Sequence, residues 1–280
     1  MTFKKLGNCL YFTLLRYCEK IWKKGVDRLF QQLKIGFLFD IDGTLTTYQR
    51  NDSVIDLLLM NDLENIRKRG MPIGLVTGRS VDWVNNHFFE YIDDNLREHS
   101  FISGEFGLVS FYDSKKTYRR LPKEIQKLLI ELKKELTDII CDYRQLDVIE
   151  SFEVPDERLL WIEPKERMIT FRTLPSFGLT TEKYLRNIEP VMKDHLNILK
   201  IVPNKYAVDI LPILATKKLA AEITIKALDP NKEINKWFAF GDTEADEEMG
   251  RLRKVQFIKV EQGMTRDTHY LIEKAMYGKL

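Results

Sequence analysis

From residue 35 onwards, short apolar runs alternate with longer segments in which apolar side chains recur every three or four residues. The short runs predict strands covered on both faces, and the longer spacing predicts amphipathic helices. Strands are predicted at residues 35–40, 71–76, 101–102, 108–112, 237–241 and 255–260. Helices are predicted to begin at Ser53, Ser80 and Thr216, the first running to Gly70 and the last to residue 227. This alternation predicts an α/β fold with a parallel sheet between two layers of helices.

The pattern changes in the middle of the chain. A strongly amphipathic helix is predicted from Pro122 onwards, followed by strands at 159–162 and 168–173, a helix at 181–195, and strands at 198–202 and 206–211. This mixed α+β order predicts an insertion at residues 114–204. The α/β core domain is then expected to comprise residues 35–113 and 205–280.

The N-terminal residues 1–34 have apolar side chains at helical spacing with basic residues between them. They contain eight basic and two acidic residues, a net charge of +6, which leaves −4 for the rest of a chain whose net charge is +2. We expect a basic amphipathic helix there. Three interpretations stay open: packing on the core or on a second subunit, binding to an anionic membrane surface, or docking to a protein partner.

Composition narrows the class of protein. The globular part is acidic overall, which argues against a general nucleic-acid binder. Three scattered cysteines are too few for a disulfide framework, and the four histidines lack the spacing of a zinc site. No apolar segment reaches the roughly 18 residues of a membrane span, and no signal peptide is evident. We therefore expect a cytoplasmic protein, while the oligomeric state stays open.

Two carboxylates follow the first predicted strand. Asp40 and Asp42 come directly after an apolar run and precede a Gly-Thr turn. Because side chains alternate along an extended chain, both acids are expected on one side of it. Such a pair can bind a hard cation such as Mg²⁺, with one acid as nucleophile and the other as proton shuttle.

Three further motifs stand at the ends of predicted strands or the beginnings of predicted helices. Thr77 and Gly78 follow the second strand, in a turn whose hydroxyl and amides can bind a phosphate oxygen. Lys217 opens a later helix and can neutralise phosphate charge, although Lys218 is an alternative. Asp242 and Asp246 follow a late apolar strand. In an open α/β sheet all these groups meet at the carboxyl edge of the strands, where ligands bind.

This ordered set resembles the haloacid dehalogenase (HAD) superfamily of phosphohydrolases over residues 35 to about 270. The resemblance implies a Rossmann-like parallel core with an inserted C2-type cap, as in subclass IIB. It implies that Asp40 is the nucleophile and Asp42 the general acid/base. Thr77, Gly78 and Lys217 would bind phosphate. The resemblance also implies a Mg²⁺ cofactor, with metal ligands at Asp40, Asp42, Asp242 and Asp246.

Within that subclass, the segments 241–249, 259–265 and 162–165 are similar to motifs of trehalose-6-phosphate phosphatases. The resemblance implies a sugar-phosphate substrate, trehalose 6-phosphate or a similar disaccharide phosphate, and a role in trehalose biosynthesis. Substrate contacts are expected from five residues, namely Arg79, Glu105, Glu163, Lys165 and Arg172. Departures such as Thr243, where that family has an acid, leave three alternatives open: a phosphomutase, another small-metabolite phosphatase, and a weakly active regulatory subunit of a sugar-phosphate synthase.

Overall fold

The computed structural model describes residues 34–49, 52–90, 92 and 94–280. The predicted N-terminal helix, apart from Lys34, lies outside the described residues. Within this part of the chain, no helix is both long enough and apolar enough to cross a bilayer.

The core is a seven-stranded sheet in the order β14-β13-β1-β4-β5-β6-β7, parallel except for the last two strands. Its strands are β1 (Ile35–Phe39), β4 (Ile73–Val76), β5 (Ser100–Gly104), β6 (Val109–Tyr112), β7 (Lys115–Tyr118), β13 (Lys236–Gly241) and β14 (Val255–Lys259). β1 is fully buried between β13 and β4. Phe39 pairs with Phe240, with ring centroids 5.1 Å apart. The predicted α/β class is therefore confirmed.

Helices cover both faces of this sheet, and polar side chains fix where three of them begin. The core helices are α1 (Leu57–Lys68), α2 (Val81–Trp83, continued by a π turn over Val84–Phe88), α3 (Asp94–His99), α6 (Lys217–Leu228) and α7 (Thr265–Met276). Ser80 and Thr216 accept N–H bonds at the starts of α2 and α6, as predicted. The sequence pattern predicted no element at α7.

The predicted start of the first helix at Ser53 is wrong. The strands β2 (Thr46–Gln49) and β3 (Asp52–Ile55) pair in antiparallel fashion before the helix. Asp56 caps α1 by accepting the N–H of Leu58 at 2.8 Å. The side chain of Ser53 instead donates a hydrogen bond to the Asp42 carboxylate. A serine and an aspartate are both good N-caps, so the local signal could not separate them.

A second sheet of five strands, here called the cap sheet, has the order β11-β12-β10-β9-β8. Its strands are β8 (Val148–Glu150), β9 (Leu160–Glu163), β10 (Ile169–Arg172), β11 (Leu199–Pro203) and β12 (Ala207–Pro212). Two helices, α4 (Lys123–Arg144) and α5 (Thr181–Met192), share a hydrophobic core with one face of this sheet. Alternation along β10 sends Ile169 and Phe171 into that core and leaves Thr170 and Arg172 for the opposite face.

Strand pairing divides the two sheets differently from the predicted boundaries at 113/114 and 204/205. β7 lies beyond the first boundary, yet it pairs with β6 in the core sheet. β12 lies beyond the second, yet it pairs with β10 and β11 in the cap sheet. Both strands are placed by pairing with neighbours, which local apolar patterning does not encode. The chain thus returns to the core only after Pro212.

Candidate active site

The two acids after β1 lie at the carboxyl edge of the core sheet. The Asp40 N–H donates to the Phe240 carbonyl oxygen at 2.9 Å, which extends the β1–β13 ladder to this residue, and its side chain is buried. Gly43 follows with a φ of +82°, and a Cβ atom there would lie 2.5 Å from the Asp242 carboxylate. The turn therefore needs glycine both for its left-handed backbone and for the close approach of Asp242.

Lys217, and not Lys218, points into this edge. The helix cap at Thr216 places Lys217 in the first turn of α6, where its Nζ donates to the Asp40 carboxylate and to the Val76 carbonyl oxygen at 3.0 Å. The same Nζ lies 2.7 Å from Asp246 Oδ1. Lys217 is 5% exposed, whereas the next residue, Lys218, is exposed to solvent. Although burial opposes it, the charge of the two carboxylates raises the pKa of Lys217, so this ammonium stays charged.

Three acids come close enough together to hold one cation. Carboxylate oxygens of Asp40, Asp242 and Asp246 lie within 4.8 Å of one another. Burial and the neighbouring Asp246 raise the pKa of Asp40, against the opposing effect of Lys217, and raise that of Asp242 to about 6. An oxygen-only set of crowded acids is the donor chemistry that suits Mg²⁺, so the residues present fit the predicted metal.

The carboxylate of the fourth predicted metal ligand, Asp42, is not part of this cluster and binds Arg79 instead. Arg79 binds it through two nitrogens, Nη2 at 2.8 Å to Oδ1 and Nε at 2.9 Å to Oδ2. The guanidinium lies 4.1 Å from the centroid of a Trp83 ring, and its Nη1 donates to Glu163 Oε2 at 3.2 Å. Burial favours the neutral acid, but Arg79 outweighs it and holds the pKa of Asp42 well below its usual range.

The predicted phosphate turn follows β4. Thr77 is fully buried, and its Oγ1 accepts the Arg79 N–H at 3.0 Å, so this hydroxyl shapes the turn. Gly78 lines the cavity, and a Cβ atom at that position would lie 2.9 Å from the Phe106 ring. The structure therefore brings Gly78 to the surface of the site and keeps Thr77 beneath it.

A cavity of about 620 Å³ lies between the acids and the polar face of the cap sheet. Three predicted cap residues line it, because β9 and β10 present Glu163 and Arg172, and Lys165 follows in the connecting loop. Glu163 binds Lys165 at 2.6 Å and lies 3.4 Å from Arg172. Despite complete burial, the cations around Glu163, with Lys165 foremost, lower its pKa to about 2.

Sequence reasoning missed polar residues of this cavity. Asp209 and Thr170 also line it, and Thr170 Oγ1 donates to Asp209 Oδ1 at 2.7 Å. Burial raises the pKa of Asp209 to about 6. An aspartate in the middle of the otherwise apolar strand β12 was the available signal. Thr243 was read only as a departure from a motif, but its N–H and hydroxyl hold Asp246 Oδ2 at 3.0 and 2.6 Å.

Glu105 was expected to contact substrate, but it is fully buried and is not among the residues that line the cavity. Its carboxylate accepts hydrogen bonds from the N–H groups of Glu166 and Arg167, at 3.0 and 2.7 Å. Burial raises its pKa to about 7, against the opposing effects of Lys165 and these two donors.

A parallel α/β core that gathers a lysine and a cluster of three carboxylates beneath a second sheet is the architecture of a capped hydrolase. A family model described as haloacid dehalogenase-like hydrolase matches residues 37–255. The chain therefore belongs to the haloacid dehalogenase-like hydrolases, as the motifs predicted. No curated protein sequence matches the chain.

Solved structures share this architecture at low sequence identity. Aspergillus fumigatus trehalose-6-phosphate phosphatase matches with a TM-score of 0.53 and 15% identity over 90% of this chain and 96% of that one. A trehalose-6-phosphate phosphatase related protein matches with a TM-score of 0.59 and 17% identity, over 86% and 97%. Plasmodium falciparum IMP-nucleotidase matches with a TM-score of 0.58 and 13% identity, over 90% of this chain and 64% of that one. These similarities concern the fold, so the substrate has to be argued from the site.

Proposed function

We propose that this protein is a Mg²⁺-dependent phosphomonoesterase that hydrolyses a sugar phosphate through an aspartyl-phosphate on Asp40. The observation that carries the proposal is the Asp40 carboxylate, buried at the mouth of the cavity and held between Lys217 and the Asp242–Asp246 pair. It is the arrangement expected of a nucleophile that attacks a dianionic phosphate.

The chemistry proceeds in two steps that use groups of the chain. In the first step, an Asp40 oxygen forms a bond to phosphorus while the bond from phosphorus to the sugar oxygen breaks. Asp42 must first leave its pair with Arg79 and take up a proton, which it then gives to the leaving oxygen. In the second step, water attacks the phosphorus of the aspartyl-phosphate, Asp42 takes its proton, and the restored Asp40 carboxylate leaves with inorganic phosphate as the product. The ammonium of Lys217 offsets phosphate charge in both steps.

The three clustered acids Asp40, Asp242 and Asp246 are the residues that would hold Mg²⁺. When bound, the ion reduces the repulsion between the phosphate dianion and the attacking carboxylate. Thr243 fixes the orientation of Asp246 through its N–H and hydroxyl. At least one of the three carboxylates that would hold the ion, that of Asp246, is therefore kept in place by a neighbouring residue.

The polar face of the cap sheet supports a sugar as the leaving group. Glu163, Lys165, Arg172, Thr170 and Asp209 offer charged donors and acceptors around one cavity, which suits the many hydroxyls of a sugar. The cavity volume of about 620 Å³ is in the usual range for small-molecule sites. The similarity of segments 241–249, 259–265 and 162–165 to motifs of trehalose-6-phosphate phosphatases supports a phosphorylated disaccharide as the first candidate.

The test is phosphate release, with Mg²⁺, from a panel that contains trehalose 6-phosphate, other phosphorylated mono- and disaccharides, a sugar bisphosphate and inosine monophosphate. We expect release from a disaccharide phosphate, and loss of that release both in Asp40→Asn and after chelation of Mg²⁺. Asp40→Asn keeps the shape of the side chain, so circular dichroism should be unchanged. No release from any sugar phosphate by the folded protein would refute the proposal. Preference for the nucleotide, or dependence on the bisphosphate, would redirect it to a nucleotidase or a mutase.

A further inference from the structure

The loop that joins β9 to β10, residues 164–168 and here called the cap loop, touches the core on two sides. On its exposed side, Lys116 and Tyr118 of β7 both bind the Glu166 carboxylate at 2.8 Å. On its buried side, the Glu105 carboxylate accepts the N–H groups of Glu166 and Arg167. Lys165, between these contacts and the cavity, donates to the Gly78 carbonyl oxygen at 3.0 Å. The cap loop therefore connects the cap sheet to the turn after β4, which contains Gly78.

Glu105 is itself held rigidly. It has a φ of +49°, and Phe106 beside it has a φ of +56°. These left-handed conformations are rare for residues with a side chain, and such strain persists only where the surroundings enforce it. Here the Glu105 N–H binds the Arg79 carbonyl oxygen at 3.0 Å, and the Phe106 N–H binds the Thr77 carbonyl oxygen at 3.1 Å. The strained turn is thus fastened to residues 77–79 of the catalytic edge.

The direction of these contacts determines what Glu105 can do. Both carboxylate oxygens of Glu105 accept backbone N–H groups, so the contact fixes the path of the cap loop and does not depend on the side chains of Glu166 and Arg167. Glu163 and Lys165, whose side chains line the cavity, stand immediately before that fixed segment. A change of one carboxylate oxygen at Glu105 would therefore move the two polar groups that face the leaving group.

We propose that Glu105 is a positioning residue that fixes the cap loop over the cavity and thereby sets the selectivity for substrates large enough to touch Glu163 and Lys165. The selectivity part rests on the phosphatase function proposed above. Glu105 does not itself touch the substrate. A small aryl phosphate, which reaches only the core acids, should be hydrolysed largely independently of it.

The test compares Glu105→Gln with Tyr118→Phe, at a pH above the Glu105 pKa of about 7. Glutamine keeps the size of the side chain but presents an NH₂ group to one of the two N–H donors. Tyr118→Phe removes a contact to the exposed side of the same loop. For Glu105→Gln we expect kcat/KM for the preferred sugar phosphate to fall roughly ten- to hundredfold, mainly through KM, as for loss of a hydrogen bond to a buried charge. Its kcat/KM for p-nitrophenyl phosphate, and both values in Tyr118→Phe, should change less than about threefold, because an exposed contact contributes little.

Hydrogen exchange provides a second measurement that does not require catalysis. In Glu105→Gln the amides of Glu166 and Arg167 should exchange at least about tenfold faster, while those of β9 and β10 stay protected. An equal loss of activity on the large and small substrates, or unchanged exchange in the cap loop, would overturn the proposal. If the wild-type protein hydrolyses no phosphate, the proposed function fails, and the exchange result alone decides whether Glu105 anchors the loop. Should Glu105→Gln not fold, Glu105→Asp, which withdraws the carboxylate by one methylene, takes its place with the same expectations.

Discussion

Two adjacent lysines at the start of α6 allow a matched test of the catalytic edge. Replacing Lys217 by methionine keeps most of the aliphatic stem and removes the charge, which lies 2.7 Å from Asp246 and also binds Asp40. Replacing Lys218 by methionine makes the same chemical change on an exposed side chain one position away. We expect phosphate release to fall about 10²–10³-fold in Lys217→Met, the cost typical of removing one group that stabilises developing charge.

The same pair predicts a difference in stability. Removing one partner of a buried ion pair leaves the remaining charge uncompensated, at a cost of roughly 3–5 kcal/mol. Lys217→Met should therefore lower the free energy of unfolding by about that amount, and the melting temperature by roughly 6–20 °C for a protein of this size. Because the carboxylates of Asp40 and Asp246 would then lack their cation, added Mg²⁺ should raise the melting temperature of this variant more than that of the wild-type protein.

The assay measures initial rates of phosphate release, with circular dichroism to show that both variants are folded. Lys218→Met should keep both rate and stability within about twofold and 0.5 kcal/mol of wild type, as for most surface substitutions. The reasoning would be refuted if Lys217→Met kept more than about half of the wild-type rate. A loss in Lys218→Met as large as that in Lys217→Met would refute it equally, because the structure assigns no contact with the acids to the exposed lysine.

Four further outcomes are expected. Thr243→Val removes the 2.6 Å hydroxyl contact to Asp246 and should lower kcat about 5–30-fold. Thr243→Ser keeps the hydroxyl and should keep the wild-type kcat, so equal losses in both variants would contradict a role for the hydroxyl. Glu163 has a folded-state pKa depressed to about 2 from 4.5, so its roughly 3 kcal/mol of stability is present above pH 4.5 and is lost as the pH falls toward 2. Urea unfolding should therefore separate Glu163→Gln from wild type at pH 7 and bring the two together near pH 2. Chelation should abolish phosphate release, and Mg²⁺ at 100 times its Kd should restore it and stabilise the fold by about 2.7 kcal/mol. If the basic residues 1–33 bind membranes, anionic liposomes should retain the full chain at low salt, and should release it at high salt or when these residues are deleted.

The sequence predicted best what depends on nearest neighbours along the chain. Apolar runs predicted six of the seven strands of the core sheet, all but β7, and the acids directly after two of those runs predicted the positions of Asp40 and Asp242 at strand ends. The helix cap at Thr216 was likewise local, and it was enough to bring a lysine to the catalytic edge, although it could not choose between Lys217 and Lys218. That choice depends on which side of the first turn faces β4, a matter of packing between distant segments.

Features that depend on pairing between distant segments were beyond prediction. The assignment of β12 to the cap sheet, and with it the place of Asp209 in the cavity, follows from pairing with β10 and β11. Glu105 could be recognised as an unusual turn acid, but its donors are backbone groups of a loop some sixty residues later, with no side-chain signature. The pairing of Asp42 with Arg79 could not be predicted either, because it depends on the backbone path of the turn after β4.

The pairing of β1 with β13 has a consequence for synthesis of the chain. β1 is made early, but one of its two neighbours, residues 236–241, is made only after the entire cap sheet. The strands of the cap sheet are consecutive in sequence, so the cap sheet can form on the ribosome before the core sheet is complete. During this interval the apolar edge of β1 around Phe37 and Phe39 lacks a partner, which is the kind of exposed strand edge that other chains can bind. We therefore expect any fragment that ends before residue 236 to aggregate through this edge and to lack two of the three clustered acids, Asp242 and Asp246, so that hydrolase activity arises only after these residues have been translated.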